Sequence, residues 1–171
     1  MSSALGKRAR VAARPRKPTT KPVAATKTKL KTAPETNSAA FDDARLDGAT
    51  FTRSSMRRAK FDDVDLSRAT IRDACLDGAA FDDVSATSAR IRNASFAKSR
   101  FEDCDLSQAT LVNVTFASSH FDDVSFAAAR IRNVDLSGAV LSDVNVEGLV
   151  IDGVRIDRLL ADARRKRRPP K

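Results

Sequence analysis

From Phe41 to Ile156 the chain places a large apolar residue at every fifth position, 24 times without a change of phase, with a small residue two positions before nearly all of them. Of the 24 centres only Ala86 is not Phe, Leu, Ile, Met or Val, and all nine phenylalanines fall on this lattice. The positions two before the centres are 12 Ala, seven Val, three Ser, Cys104 and Leu149. A period of five fits neither the 3.6 of a helix nor the 2.0 of a strand with one buried face. It describes a coil that turns a corner every five residues. Ala86, the one small centre, should leave slack between Leu66 and Leu106.

A longer period lies on top of the first. Phe41-Asp42-Asp43 recurs as Phe61-Asp62-Asp63, Phe81-Asp82-Asp83, Phe101-Glu102-Asp103 and Phe121-Asp122-Asp123, and Leu141-Ser142-Asp143 closes the series. Four five-residue sides make one square turn, so residues 41–160 give six stacked coils. In such a solenoid no turn buries its apolar face alone; stacking creates the core.

The repeats Ala69-Thr70-Ile71-Arg72-Asp73, Cys104-Asp105-Leu106-Ser107-Gln108 and Val134-Asp135-Leu136-Ser137-Gly138 resemble the pentapeptide-repeat family, in 24 tandem copies over residues 39–158. The resemblance implies an all-β fold, a right-handed quadrilateral β-helix of six coils. The stretch Ile151-Asp152-Gly153-Val154, followed by Leu159-Leu160, is similar to the end of many bacterial members. The best understood members resemble B-DNA in size and charge, bind DNA gyrase or topoisomerase IV and protect it from inhibitors. A type II topoisomerase is therefore the protein partner that the resemblance implies.

Charge divides the chain into three parts. Residues 1–40 hold ten Lys or Arg against Glu35, residues 157–171 hold seven against Asp157 and Asp162, and the repeats between hold 14 basic residues against 19 acids. The net charge of +9 therefore describes the ends, while the repeat body is acidic. Residues 1–38 are too poor in large apolar side chains to offset their ordering entropy and read as a disordered basic arm. They contain no apolar stretch of a secretory signal, although an Arg-rich, acid-poor start also matches an organellar transit segment. No run approaches the length needed to span a membrane, so no membrane association is expected and the location is read as cytoplasmic.

Residues 159–171 form the third part, a short capping helix and basic tail. The helix is expected over Asp157 to Arg165, with Asp157 as N-cap and Leu159 and Leu160 turned back over the last coil. The first coil has no such lid before it, so either residues 30–40 cover it or a second copy does, which leaves a homodimer through a solenoid end open. Cys104 is an inward small position and Cys75 an outward one two rungs away on the opposite side, too far apart for a bridge. Free thiols suit a reducing compartment.

The outward columns hold the functional content. Side one stacks Asp42, Asp62, Asp82, Glu102 and Asp122, beside a corner column of Asp43, Asp63, Asp83, Asp103, Asp123 and Asp143. The corner acids are explained by turn chemistry, since Asp and Asn tolerate left-handed angles; Asn93, Asn113 and Asn133 repeat that role on side three. The neighbouring column has no such explanation, and like charges stacked in a sheet are destabilising without a compensating partner. It is the candidate protein-binding face, and a flat ladder does not converge oxygens on a calcium ion. Side three carries Arg53, Arg72, Arg90, Arg92, Arg130 and Arg132.

The single histidine, His120, is read as a solvated residue on side four, and no catalytic grouping, metal site or cofactor motif is found. The primary expectation is a non-enzymatic interaction protein that acts through its acidic side, as a mimic of DNA. The alternative is a nucleic-acid-associated structural protein held by Lys7, Arg8, Arg10, Arg14, Arg16, Lys17, Arg164, Arg165, Lys166, Arg167 and Arg168 in non-specific phosphate contacts, with the side-three arginines assisting. The absence of Trp and Tyr, with every Phe claimed by the core, leaves no stacking platform for bases.

Overall fold

A computed structural model of the chain describes residues 39–166, so the arm 1–38 and the basic residues Arg167 and Arg168 lie outside the described residues. The described chain is a parallel β-solenoid of six coils followed by one helix. Side one is a six-stranded sheet of β1 (Ala40–Asp42), β3 (Lys60–Asp62), β5 (Ala80–Asp82), β7 (Arg100–Glu102), β9 (His120–Asp122) and β11 (Val140–Ser142), in that order. Side three, opposite it, stacks β2 (Thr50–Thr52), β4 (Thr70–Cys75), β6 (Arg90–Ser95), β8 (Thr110–Thr115), β10 (Arg130–Asp135) and β12 (Val150–Ile151). Each residue pairs with the one 20 positions later, as in Phe41 with Phe61 and Phe61 with Phe81. Side two is held by single bridges such as Arg45 to Asp65 and Asp65 to Ser85.

The lattice works because the inside of so narrow a coil holds one large and one small side chain per five-residue side. Phe41, Phe61, Phe81, Phe101 and Phe121 stack with ring centroids 4.6–4.8 Å apart, the spacing of the rungs themselves. Burial is complete in the middle of the stack, whereas Phe41 and Leu46 in the first coil and Leu136 and Val146 near the last are half-buried. A small apolar void of about 20 Å³ lies beside Ala86, bordered by Leu66, Phe81, Phe96 and Leu106, as the small centre implies.

Corners are made by the backbone. Every fifth residue from Asp43 to Gly153 has φ between +46° and +84°, the left-handed region that L side chains enter at a cost of about 1–2 kcal/mol. Asp and Asn there are thus turn residues, as expected. On side three the corner amides also bond to one another: Asn93 donates to Asp73, Asn113 to Asn93 and Asn133 to Asn113, at 2.8–2.9 Å.

Three inward polar residues show how the core tolerates hydroxyls and thiols. Ser99 Oγ donates to Leu76 O at 2.9 Å, Ser119 Oγ to Phe96 O at 2.6 Å and Cys104 Sγ to Phe81 O at 3.6 Å, each reaching 23 residues back. Ser54 holds the same lattice place in the first coil, and its buried Oγ has no partner among the described residues. The carbonyl 23 residues before it belongs to Lys31, outside the described residues.

The C-terminal end differs from the sequence expectation. Asp152 and Gly153 both take positive φ, of 46° and 84°, and make a two-residue turn that folds β13 (Val154–Arg155) back antiparallel on β12. The last repeat is therefore no fourth side, and Val154, at an inward lattice position, is 50% exposed. The hairpin covers the edge of the side-three sheet. The helix α1 spans Ile156–Lys166, but Leu159 and Leu160 are 56% and 40% exposed and do not turn over the last coil. Only half-buried Ile156 joins the core. Asp157 lies inside the first turn and accepts hydrogen bonds from Arg155 and from the Gly148 N–H at 3.3 Å. It anchors the helix to the coil rather than capping it from outside.

Candidate interaction surfaces

Along each side-one strand the middle residue is a centre and points inward, so its two neighbours face out. Two outward columns result. One is Asp42, Asp62, Asp82, Glu102 and Asp122, paired directly from rung to rung and ending at Ser142. The other is Ala40, Lys60, Ala80, Arg100, His120 and Val140. The expected carboxylate ladder is brought together in register, on a solvent-facing sheet.

The second column is where sequence reasoning fell short. Lys60 Nζ lies 2.6 Å from Asp62 and Arg100 2.7 Å from Glu102, so two of the five carboxylates carry a cation on their own strand. The bond to Asp62 raises the Lys60 pKa above its ordinary value, with the Asp62 charge adding to the effect. Residues i and i+2 of a strand share a face, and that rule was sufficient to find both pairs. The five-residue register places His120 on side four, but in the structure it opens β9 on side one, paired with Arg100 and on the same face as Asp122. The strand begins one residue before each centre, which carries His120 around the corner. Behind this face, burial pushes the Asp103 carboxyl up, and Asp123 beside it adds to the shift.

Side three has the opposite character. Its outward columns are Thr50, Thr70, Arg90, Thr110 and Arg130, and Thr52, Arg72, Arg92, Val112 and Arg132. No acid stands in either column across these rungs. Arg72 has Asp73 at 3.5 Å, whereas Arg90, Arg92, Arg130 and Arg132 form no ion pair among the described residues. Arg53 is a corner residue with φ of 50° and belongs to the turn.

A shallow open groove of about 610 Å³ runs along the next corner past Arg53, Asp73, Cys75, Asn93 and Asn113. Arg57 Nε donates to Cys75 Sγ at 3.0 Å, and Cys75 donates to Asp77 at 3.3 Å. Burial pushes the Asp77 carboxyl up, but bonds from Ser95, Cys75 and the Ala97 N–H outweigh it and hold the group below its ordinary value. Both cysteines are free, and burial pushes the Cys104 thiol up to about 12. Among the described residues no three His, Cys, Asp or Glu side chains are grouped to hold a metal ion, and no helix is long and apolar enough to cross a membrane. Of the basic tail residues, Arg164, Arg165 and Lys166 are described, exposed in the last turn of α1; Lys7, Arg8, Arg10, Arg14, Arg16 and Lys17 are not.

Residues 79–156 match the family described as the pentapeptide repeat region, and residues 37–73 match pentapeptide repeats in eight copies. No curated protein matches the sequence. Among solved structures the chain is similar to the pentapeptide repeat protein Rfr23 from the cyanobacterium Cyanothece 51142, at 18% identity over 66% of this chain and 91% of that one, with a TM-score of 0.39. A pentapeptide repeat protein of the Arabidopsis thaliana thylakoid lumen gives 18% identity over 71% and 75%, with a TM-score of 0.43. QnrB1, a plasmid-mediated fluoroquinolone resistance protein, gives 18% identity over 72% of each chain, with a TM-score of 0.37.

Proposed function

The chain belongs to the pentapeptide-repeat family, and from that premise we propose that it is a non-enzymatic interaction solenoid whose side-one sheet binds a basic protein partner. The observation that carries the proposal is the in-register column Asp42, Asp62, Asp82, Glu102 and Asp122 on an outward face. Turn geometry does not require these acids, since the corner residues are the next ones along. Carboxylates held at one rung's spacing by a packed core are preorganised, so a basic groove that binds them orders little and is steered by their field.

A groove that normally holds DNA is the partner such a surface fits, and a type II topoisomerase, acted on in the cytoplasm, is the specific form of the proposal. The test replaces Asp42, Asp62, Asp82 and Asp122 together with Asn in the full chain, which keeps shape and removes four charges. Wild-type protein is expected to alter supercoiling by purified gyrase at low salt. The variant should be at least as stable yet without that effect. A wild-type protein inert toward gyrase and topoisomerase IV removes the topoisomerase form, and an active variant removes the ladder itself.

A second reading, association with nucleic acid through basic tails, is favoured by the exposed Arg164, Arg165 and Lys166 at the end of α1. Removing residues 1–38 and 164–171 should abolish such binding if the tails alone carry it.

A further inference from the structure

We infer that the side-three sheet is itself a binding surface for the phosphodiester backbone of nucleic acid, centred on Arg90, Arg92, Arg130 and Arg132. The inference extends the second reading from the tails to the folded body, and its experiment keeps the tails in place so that the two fail separately.

Arg90-Ile91-Arg92 and Arg130-Ile131-Arg132 are the same tripeptide two coils apart, with the isoleucine buried and both arginines outward. Between them runs Thr110-Leu111-Val112, paired residue for residue with both. The four arginine Cα atoms therefore stand at the corners of a rectangle, about 7 Å along a strand and about 10 Å across two rungs, with Thr110 between Arg90 and Arg130. Arg72 extends one edge by a rung. The packed core beneath fixes their backbone, so a ligand has only the exposed side chains to order.

The charge is kept free by design of the sequence. On side one the acids are partly neutralised by Lys60 and Arg100; on side three the four arginines form no ion pair among the described residues, and Asp152 follows Arg132 one rung on. The corner columns repeat the contrast. Both need a residue that tolerates positive φ, and Asp and Asn serve alike. Beside the carboxylate face the chain uses Asp63, Asp83, Asp103 and Asp123, whereas beside the arginines it uses Asn93, Asn113 and Asn133. The positive φ does not dictate that choice, although only asparagine can also donate along the amide ladder of Asn93, Asn113 and Asn133. Asparagine there leaves the arginine face positive. The sheet then passes through β12 and β13 into α1, whose last turn is basic, with Asp152 of the connecting turn and the Arg155–Asp157 ion pair lying between.

Arginine forks match phosphate oxygens two bonds at a time, and a flat array without aromatic rings touches a charged backbone rather than bases. The contact is therefore indifferent to sequence.

The test measures binding of the full chain to a 24-base-pair DNA duplex from 50 to 200 mM salt. Replacing the four arginines with Gln is expected to lower the slope of log affinity against log salt by about 3–4, from about 0.9 per phosphate contact. Replacing them with Lys should keep the slope and weaken binding. If the Gln variant does not fold, Arg92→Gln and Arg132→Gln singly should each lower the slope by about 1. An unchanged slope in folded Gln variants would assign every phosphate contact to the tails and overturn the inference.

Discussion

Ser54 and Ser119 occupy equivalent inward positions, yet their replacement by alanine should change stability in opposite directions. Ser119 Oγ donates to Phe96 O at 2.6 Å and accepts from the Ser99 N–H at 3.2 Å, in a site closed to solvent. Ser119→Ala removes both bonds, and at about 0.5–1.5 kcal/mol each the loss is about 1–2 kcal/mol after the gain from burying a methyl group. Ser54 Oγ is buried without a partner among the described residues, so Ser54→Ala removes a desolvated hydroxyl and should stabilise by about 1 kcal/mol. Alanine fits both places, being the commonest residue at this lattice position. For a solenoid of this size 1 kcal/mol moves Tm by about 4 °C, so thermal unfolding of the two variants should bracket the wild type by several degrees. A Ser54→Ala variant destabilised as much as Ser119→Ala would refute the reasoning. It would mean that the Ser54 hydroxyl has an acceptor outside the described residues.

Filling the void beside Ala86 should help: Ala86→Val is expected to stabilise by about 0.5 kcal/mol, from about 24 cal/mol per Å³ and a volume of about 20 Å³, and a clear loss in denaturant midpoint would mean that Phe96 already occupies the space. A disulfide reagent should label Cys75 in the native protein and Cys104 only on unfolding, because burial holds the Cys104 thiol protonated to about 12; equal rates would show the coil open. The Arg155 guanidinium and the Gly148 N–H hold the Asp157 carboxyl well below the usual range, so the anchoring of α1 is fully present above about pH 4 and is lost as pH falls toward the folded value. Helical circular dichroism should therefore fall in acid in the wild type, and a pH profile unaltered by Asp157→Asn would contradict this.

The fold was legible because one period constrained everything: a coil with five-residue sides has room for one large centre, one small partner and one left-handed corner per side, and Phe41, Ala39 and Asp43 meet those needs in the first repeat. The columns followed from the same register. What the register hid were departures from it. Val154 and Ile156 keep the lattice in sequence, but Asp152-Gly153 is also the signal for a two-residue hairpin, and that local preference ends the coil. Leu159 and Leu160 looked like a lid because an apolar pair at an end suggests burial, yet anchoring through Asp157 holds the helix where neither is covered. Lys60 and Arg100 were missed because acids were read down a column and not along a strand.

The two faces also differ in how firmly the stack holds them. In a solenoid each rung is stabilised by its neighbours, and a terminal rung has only one. Asp42 lies on the first coil beside half-buried Phe41, whereas Asp82 and Glu102 lie over Phe81 and Phe101, fully packed between rings on both sides. The arginine rectangle occupies the same central coils, on β6 and β10, over buried Ile91 and Ile131. Charges that a partner must find in fixed places therefore belong on rungs three to five, where the four arginines and three of the five ladder acids stand. The end coils, with Phe41 and Leu46 at one end and Leu141 and Val146 at the other, contribute less order to either surface. A binding energy that depends on preorganised charge should thus be concentrated in Asp82, Glu102 and Asp122 on one side and in the two Arg-Ile-Arg strands on the other, with Asp42 the least important member of its column.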